Sequence, residues 1–462
     1  MDVHYLSESG DSMKKYRLSL LIIGLVFLAT ACQSSKPKEE APKDYVLPEV
    51  SINYSKEEVV AFHNSINQGT YNQYEGLAPH NQPILKAPEH LPSALFYDSG
   101  IRIDYPKDGV KGVYVPASVF NDPDQYQFLL DLLDNTYLNA MVIDFKDDYG
   151  NVLAQVDTKN PLIQKNSSGT VDFKKILKDL EKHEIYPIAR IVTFKDNLLS
   201  SEHPEYSFKD RETGAIWSDG NGSQFINPFM KEVWDYDVEV AIEAAKLGFK
   251  EIQFDYVRFP EGFETFSDKL EYDIGDFGDY VTDDVNKFGQ ERVYAINGFL
   301  EYAREKLAPY GAETSADVFG YTAIAGDAPD VRGIGQNFAQ MAERVDVISS
   351  MVYPSHWGPG FFGIAYPDLE PYNVVDQYMY SEKAILSNTT NQVTSRPWLQ
   401  SFTDYGLAPG TFQEYGPLQI QQQIVALSEY GIHEYLLWNA SGSYYSEGVD
   451  YAPELSGQDY YY

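Results

Sequence analysis

The stretch Phe249-Lys-Glu-Ile-Gln-Phe-Asp-Tyr-Val-Arg-Phe-Pro260 decides the fold class of this chain. It predicts a short buried strand from Glu251 to Val257, directly after a helix-patterned run that ends at Gly248. Asp255 lies near the carboxyl end of this strand. A charged side chain is costly to bury without a partner, and charge at the carboxyl end of a barrel strand usually indicates chemistry. We therefore expect Asp255 to be the centre of an active site.

Composition limits the classes of protein that this chain can represent. Its 462 residues are 43% hydrophobic and 15% aromatic, which is enough for a large core. The formal net charge of -34 argues against nucleic acid as a partner, because the chain offers little positive charge to neutralise phosphates. The single cysteine, Cys32, leaves no pair for an internal disulfide, so the core must be stable without one.

The first 32 residues have the pattern of a signal peptide. The basic segment Met13-Lys-Lys-Tyr-Arg17 precedes an apolar run from Leu18 to Leu28, and Ala29-Thr-Ala-Cys32 places small residues before the cysteine. This pattern resembles a bacterial lipobox. It predicts a lipid on Cys32 that anchors the chain at the extracellular face of the cell membrane. The alternative is an ordinary secreted protein with an incidental cysteine.

The sequence divides into three segments. Residues 1–32 are a lipoprotein signal peptide, and residues 33–100 are a polar tether followed by an extension to which we assign no structure. Residues 101–462 form the main domain. We expect it to act as a monomer.

From Gly112 onward, short apolar runs alternate with helical patterns, which favours parallel βα units. The predicted strands are Gly112–Pro116, Ala140–Phe145, Tyr186–Thr193, Glu251–Val257, Thr314–Phe319, Val345–Val352, Pro397–Phe402 and Glu434–Trp438. Eight strands predict a (β/α)₈ TIM-type barrel with enlarged loops at 194–229, 258–290 and 353–373. An open doubly wound sheet is the alternative, but it requires a glycine-rich turn after the first strand, and none is present.

Glycoside hydrolysis requires two carboxyl groups across the scissile bond. Asp255 and Asp317 lie at corresponding ends of neighbouring predicted strands, so we assign Asp255 as the nucleophile and Asp317 as the proton donor. Glu261 is the rival donor. Asp144 is another candidate, although Lys146 beside it indicates a structural or substrate-positioning pair.

Cations and aromatic rings complete the predicted site. Arg190 or Arg258 would keep Asp255 ionised, because a nearby cation favours the charged form. The alternative is a buried Asp–Arg pair that only braces the barrel. Aromatic rings stack on sugars, and strand-end polar groups can bind hydroxyls, so the remaining substrate contacts are Tyr256, Tyr353, His356, Trp357, Gln400, Trp438 and Asn439.

Other chemistries lack their motifs. The eight histidines are scattered, with no His-Glu-x-x-His pattern, and neither a Gly-x-Ser-x-Gly elbow nor a phosphate-binding loop is present in the sequence. We expect no metal and no cofactor.

Five motifs carry a family resemblance, and they occur in the same order as the predicted strands. They are Lys111-Gly-Val-Tyr-Val-Pro, Val142-Ile-Asp-Phe-Lys-Asp-Asp, Pro187-Ile-Ala-Arg-Ile-Val, Gln253-Phe-Asp-Tyr-Val-Arg-Phe-Pro and Met351-Val-Tyr-Pro-Ser-His-Trp. Residues from about 110 to 440 resemble a glycoside hydrolase family of bacterial envelope lipoproteins, which is distantly similar to the alpha-amylase-like clan. The resemblance implies a (β/α)₈ barrel with its nucleophile at the end of strand four, which matches Asp255. The clan's donor is a glutamate after strand five, where this chain has Asp317.

The leading hypothesis is a surface-anchored hydrolase of an extracellular or cell-wall polysaccharide. The second is a non-catalytic carbohydrate-binding or envelope-assembly lipoprotein on the same scaffold. A barrel enzyme of unrelated chemistry is the third, because a fold does not set a function.

Overall fold

The computed structural model describes residues 97–462. The predicted signal peptide, Cys32 and almost all of the 33–100 segment therefore lie outside the described residues. Within the described part, no helix is both long enough and apolar enough to cross a membrane.

Eight parallel strands close into a barrel, and each pairs with the next one along the chain. The eighth strand returns to pair with the first, through Tyr435 beside Lys111. The strands are β1 (Lys111–Val115), β2 (Ala140–Lys146), β3 (Tyr186–Val192), β4 (Glu251–Asp255), β5 (Glu313–Phe319), β6 (Val347–Met351), β7 (Trp398–Gln400) and β8 (Tyr435–Trp438). The predicted (β/α)₈ barrel is confirmed.

The seventh strand of the barrel is interrupted. A two-residue strand, Thr394–Ser395, pairs with the start of β6, and after Arg396 and Pro397 the chain rejoins the sheet where Trp398 pairs with Met351. Proline has no N–H to donate to a ladder, which accounts for the break. The register of both pieces with β6 is the same, so together they close the barrel.

Helices follow the strands and cover the barrel. The main ones are Pro123–Asn135, Phe173–Lys182, Lys231–Leu247, Gln290–Leu307, Phe338–Ala342, Pro371–Leu386 and Pro417–Glu429. Shorter helices lie in the connections, at Pro161–Asn166, Asn197–Glu202, Phe263–Phe266, Tyr321–Ala325 and Pro329–Ile334, and one follows the last strand, at Pro453–Ser456.

The helix before β4 shows how local sequence positions the candidate nucleophile. Lys231–Leu247 ends at Gly248, whose φ of 121° is a conformation that a side chain disfavours. A Cβ at this position would also lie 2.4 Å from the Ile101 side chain. Glycine therefore allows the tight turn that leads the chain directly into β4.

Strand β4 alternates between two environments. Ile252 and Phe254 face the helices, and Phe254 packs against Phe299 with ring centroids 5.2 Å apart. Glu251, Gln253 and Asp255 face the barrel interior, because side chains alternate along a strand. Glu251 pairs with Arg396 at 2.7 Å in the lowest layer, so Asp255 occupies the uppermost layer, at the carboxyl end.

The three long loops follow β3, β4 and β6 and thus extend from the carboxyl ends of the strands, as predicted. The first two are joined by a short antiparallel ribbon between Lys209–Asp210 and Leu270–Glu271. Residues of the second and third loops line the opening above Asp255.

Candidate active site

A cavity of about 430 Å³ opens at the carboxyl ends of the strands. Ten of the predicted site residues line it: Arg190, Asp255, Tyr256, Arg258, Glu261, Asp317, Tyr353, His356, Trp357 and Trp438. Six further residues complete the lining: Asp148, Phe319, Gly320, Tyr321, Met351 and Trp398. We call this cavity the cleft.

Asp255 is held in the cleft by hydrogen-bond donors on both oxygens. Arg190 donates to Oδ2 from Nε at 2.9 Å and from Nη2 at 2.6 Å. The backbone N–H of Tyr256 donates to Oδ1 at 2.6 Å. An environment made of donors and a cation is the one that a carboxylate requires.

Arg190 connects Asp255 to two more carboxylates. Its Nη1 donates to Asp144 at 2.7 Å and to Asp148 at 3.2 Å. Asp144 also accepts a 2.6 Å hydrogen bond from the Tyr114 hydroxyl. The guanidinium is almost fully buried, and its five N–H groups form a rigid fork, so it fixes the positions of the acids around it.

Asp317 has the opposite environment. It is 2% exposed, and Oδ1 accepts a 2.7 Å hydrogen bond from the indole N–H of Trp398. Burial raises the pKa of Asp317 well above its ordinary value, and the negative charge of Asp255 raises it further. The ladder between β4 and β5 pairs Phe254 with Ala316, which places the two acids side by side at the next position.

Tyr256 has a strained backbone directly after the candidate nucleophile. Its φ is 50°, an uncommon value for a bulky residue, and such strain clusters at functional sites. The Arg258 N–H donates to the Tyr256 carbonyl at 2.8 Å and helps to hold this conformation. Two cations approach the ring, Lys195 at 4.5 Å and Arg258 at 4.9 Å from its centroid.

Aromatic rings form much of the remaining cleft wall. Trp438 stacks on Tyr114 with centroids 4.1 Å apart and meets Trp398 edge-on at 5.4 Å. On the β6 loop, Trp357 packs against Phe361 at 4.8 Å. These rings offer flat apolar area of the kind that stacks on sugars.

Comparison with known families gives one match, to residues 112–444, which is most of the chain. The matching family model is described as "Putative glycosyl hydrolase domain". The chain belongs to this glycosyl hydrolase family. The family expectation from the sequence motifs is thus confirmed at the level of a glycoside hydrolase. No curated protein matches the chain.

Solved structures similar to this hydrolase include a hypothetical protein from Ruminiclostridium thermocellum ATCC 27405. The two sequences are 33% identical over an alignment that covers 45% of this chain and 97% of that chain, with a TM-score of 0.37. The PgaB (BpsB) glycoside hydrolase domain from Bordetella bronchiseptica aligns at 15% identity, covering 72% and 94% of the two chains, with a TM-score of 0.47. The spore cortex-lytic enzyme SleL from Bacillus megaterium QM B1551 aligns at 12% identity, covering 73% and 72%, with a TM-score of 0.40.

Lys146 of the hydrolase does not lie where the sequence predicted. Its ammonium is fully buried, 2.8 Å from Asp196 and 2.7 Å from Asp237, and it does not line the cleft. The ladder between β2 and β3 shifts register between Asp144 and Lys146. Asp144 therefore pairs with Arg190 beneath the cleft surface rather than with Lys146.

Two other predicted contacts support loops. Gln400 is buried, accepts from the Ser355 N–H at 2.9 Å and donates to Asp368 at 3.0 Å. Asn439 donates to the Ser401 carbonyl at 2.7 Å. Neither residue lines the cleft, because each one ties a strand end to a neighbouring loop.

Glu261 lies at the rim of the cleft. Its side chain is 71% exposed and forms a 3.0 Å salt bridge with Arg258. Asp317, by contrast, is buried, and burial is what raises the pKa of a catalytic acid. The geometry thus favours Asp317 over Glu261 as the donor.

Asp148 and Trp398 were missing from the predicted site set. Asp148 contacts Arg190 at 3.2 Å and Lys195 at 3.0 Å; although burial opposes the effect, these cations hold its pKa below the ordinary value. Both residues had a signal in the sequence. Asp148 ends the acidic run after β2, and Trp398 is in a predicted strand on the same face as Gln400.

Proposed function

We propose that this glycoside hydrolase is anchored to the outer face of the bacterial cell membrane and cleaves an extracellular or cell-wall polysaccharide. Family membership supplies the reaction class. The open cleft with its aromatic lining suits a polymer that passes through it. The lipobox pattern that ends at Cys32 supports the anchor.

One observation carries the mechanism: the two acids at neighbouring strand ends have opposite environments. Asp255 accepts hydrogen bonds from Arg190 and from the Tyr256 N–H, whereas burial raises the pKa of Asp317 and favours its protonated form. Pairs of acids whose environments differ in this way divide the acid and nucleophile roles between them. This pairing supports Asp255 as the nucleophile and Asp317 as the donor.

In the proposed first step, the Asp317 carboxyl gives its proton to the glycosidic oxygen, and the bond between that oxygen and the anomeric carbon breaks. The Asp255 carboxylate attacks the anomeric carbon, forming a glycosyl ester, and the leaving sugar departs as an alcohol. In the second step, Asp317, now ionised, takes a proton from water. The hydroxide oxygen displaces Asp255 and restores both acids.

Other cleft residues would hold the sugar. Trp357 and Trp438 offer stacking surfaces, and Tyr353 offers a hydroxyl. Burial lowers the pKa of His356, so its imidazole is neutral at neutral pH and can both donate and accept a hydrogen bond.

The test of the two roles uses aryl glycosides over a panel of sugars, beside cell-wall and storage glycans. Asp255→Ala should lose hydrolysis, and added azide should restore turnover by forming a glycosyl azide. Asp317→Ala should hydrolyse glycans at least about 100-fold more slowly than the parent. It should keep the first step for dinitrophenyl glycosides, because dinitrophenolate leaves without a proton. Asp268→Asn, an exposed acid far along the β4 loop, is the matched control.

Two results would contradict this mechanism. One is full activity in either alanine variant. The other is parent protein that binds glycans and cleaves none of them, which would favour a non-catalytic binding protein. The anchor has a separate test, since Cys32→Ala should release the chain from membranes into the medium.

A further inference from the structure

Arg258 is a nearly buried cation on the wall of the cleft. Its side chain is 7% exposed, and its guanidinium lies 4.8 Å from the Phe319 ring centroid, 4.9 Å from that of Tyr256 and 5.7 Å from that of Phe225. These three rings exclude water from the guanidinium, and burial lowers the pKa of Arg258. A cation in such a place gains strongly from an anion.

The anion that Arg258 contacts is poorly suited to compensate this charge. Within residues 97–462, its one salt bridge is to Glu261, at 3.0 Å, and that side chain is 71% exposed. By contrast, Arg396 in the lowest layer of the barrel is paired with Glu251 and Glu434, both fully buried. An exposed carboxylate contributes little, since water and salt compete with it. Glu261 is therefore a partner that a ligand can replace.

A second cation lies close by. Lys195 approaches the ring of Tyr256, as Arg258 does, and its own partner, Asp148, is 48% exposed. The ring of Tyr256 thus has two positive groups beside it, Arg258 on the cleft wall and Lys195 behind the lining, and the partner of each is partly exposed to solvent.

We propose that Arg258 is the specificity determinant of the cleft, and that it binds a carboxylate carried by the substrate sugar in place of Glu261. The substrate class is then an acidic polysaccharide. Its carboxylate belongs either to a uronic acid or to an acidic substituent such as a lactyl ether on an amino sugar. The planar fork of arginine matches a carboxylate with two parallel hydrogen bonds. This inference rests on the proposed function, because it concerns the same cleft.

The net charge of -34 does not prevent this binding. At physiological ionic strength, charges more than about 8 Å apart in solvent are largely screened. The contact with a desolvated guanidinium is local and is screened much less. The acidic surface slows the approach of a polyanion, while Arg258 decides which sugar remains bound.

The experiment measures binding of monosaccharides to the full chain, using the fluorescence of the cleft tryptophans. Two matched pairs are compared: glucuronic acid with glucose, and N-acetylmuramic acid with N-acetylglucosamine. We expect one acidic sugar to bind about tenfold more tightly than its neutral partner, and the pair that shows this difference identifies the source of the carboxylate. Monosaccharides contain no bond to cleave, so the result is independent of the roles of Asp255 and Asp317.

Two variants make the test specific. Arg258→Gln should abolish the preference for the acidic sugar. Glu261→Gln should increase that preference several-fold, because it removes the competing carboxylate, and its exposed position makes misfolding no explanation. Equal affinities within both pairs, or a Glu261→Gln protein with an unchanged or reduced preference, would overturn the proposal.

Discussion

The indole Nε1 of Trp398 lies 2.7 Å from Oδ1 of Asp317 and donates a hydrogen bond to it. Both residues belong to barrel strands, Trp398 to β7 and Asp317 to β5, so the barrel fixes the direction of this contact. Of the two carboxyl oxygens of Asp317, Oδ1 is the one that accepts a hydrogen bond from residues 97–462, which leaves Oδ2 available to carry the proton. The indole therefore both orients the candidate donor and adjusts its acidity.

Trp398→Phe should move the alkaline limb of the activity profile to higher pH. The indole N–H lowers the pKa of Asp317 against the larger effect of burial, so removing it leaves that pKa higher still. The protonated form, which the donor role requires, then persists to higher pH. The measurement is kcat/KM against pH, and we expect a loss of about fivefold at the optimum, as one hydrogen bond is worth about 1 kcal/mol.

Trp357→Phe is the matched control for this shift. Trp357 also lines the cleft, but its buried indole N–H has no hydrogen-bond partner among the described residues. Its substitution should change KM and leave the alkaline limb in place. A Trp398→Phe profile that is superimposable on that of the parent would show that the indole does not act on Asp317.

Arg190→Lys should reduce kcat/KM by about 100-fold or more, because lysine keeps the charge but loses the fork that holds Asp255 and Asp144 together. The fold should be destabilised as well, by about 3 kcal/mol. Arg211→Lys, at an exposed position in the β3 loop, should change neither quantity. Activity within twofold of the parent in Arg190→Lys would mean that the pairing only braces the barrel.

Lys146→Met should lower the free energy of unfolding by about 3–5 kcal/mol, because it leaves Asp196 and Asp237 buried without their cation. Urea unfolding at neutral pH measures the change. The nearby exposed Lys165, whose side chain is 63% exposed in its pair with Glu202, provides the control variant Lys165→Met, which should lose less than about 1 kcal/mol. Similar losses in the two variants would rule out the buried cluster as a major source of stability.

The pH dependence of stability should include a contribution from Asp237. Burial, and to a smaller extent the charge of Asp196, raises the pKa of Asp237 to about 7, against 3.8 for an ordinary aspartate, although Lys146 opposes the shift. The folded state thus binds this proton more tightly. The resulting stability is fully present below pH 3.8 and is lost as the pH rises through about 7.

Asp237→Asn should remove that part of the decline. Unfolding by urea at intervals between pH 4 and pH 8 should give a flatter curve for the variant than for the parent. Parallel curves would mean that Asp237 titrates alike in the folded and unfolded chains.

Glu184→Gly should stabilise the protein by about 0.5–1 kcal/mol. Glu184 has a φ of 53°, which costs a side-chain-bearing residue about 1–2 kcal/mol, partly offset by the greater flexibility of glycine when unfolded. The site is exposed and remote from the cleft, so activity should not change. Glu212 is also exposed, but its φ is not positive, so Glu212→Gly should instead be neutral or slightly destabilising.

Much of the fold could be read from periodicity. The stretch from Glu251 to Asp255 has apolar residues on one face and polar residues on the other, and it forms β4 two residues shorter than predicted. The difference arises at Tyr256, whose positive φ turns the chain out of the sheet. Propensity did not indicate that strain, because neighbouring loops and cations hold it.

The sequence predicted the residues of the site less completely than it predicted the fold. Lys146 illustrates the reason: its place near the end of β2 is visible in the sequence, but the register shift beside Asp144 sends its ammonium to a buried acid pair. Gln400 was predicted as a sugar contact by its strand-end position and instead ties the strand to Ser355. A strand end brings a side chain near the cleft, and local register decides whether it enters.

The sequence by itself determined the alternation of strands and helices, the parallel barrel and the position of acids at strand ends, since these follow from side-chain periodicity and the cost of burying charge. Tertiary structure alone decided how the acids differ. Asp255 and Asp317 are the same residue type at corresponding positions, yet Arg190 from β3 reaches one and Trp398 from β7 reaches the other. Protonation depends on burial and on neighbours that are distant in sequence, and barrel closure brings those neighbours together.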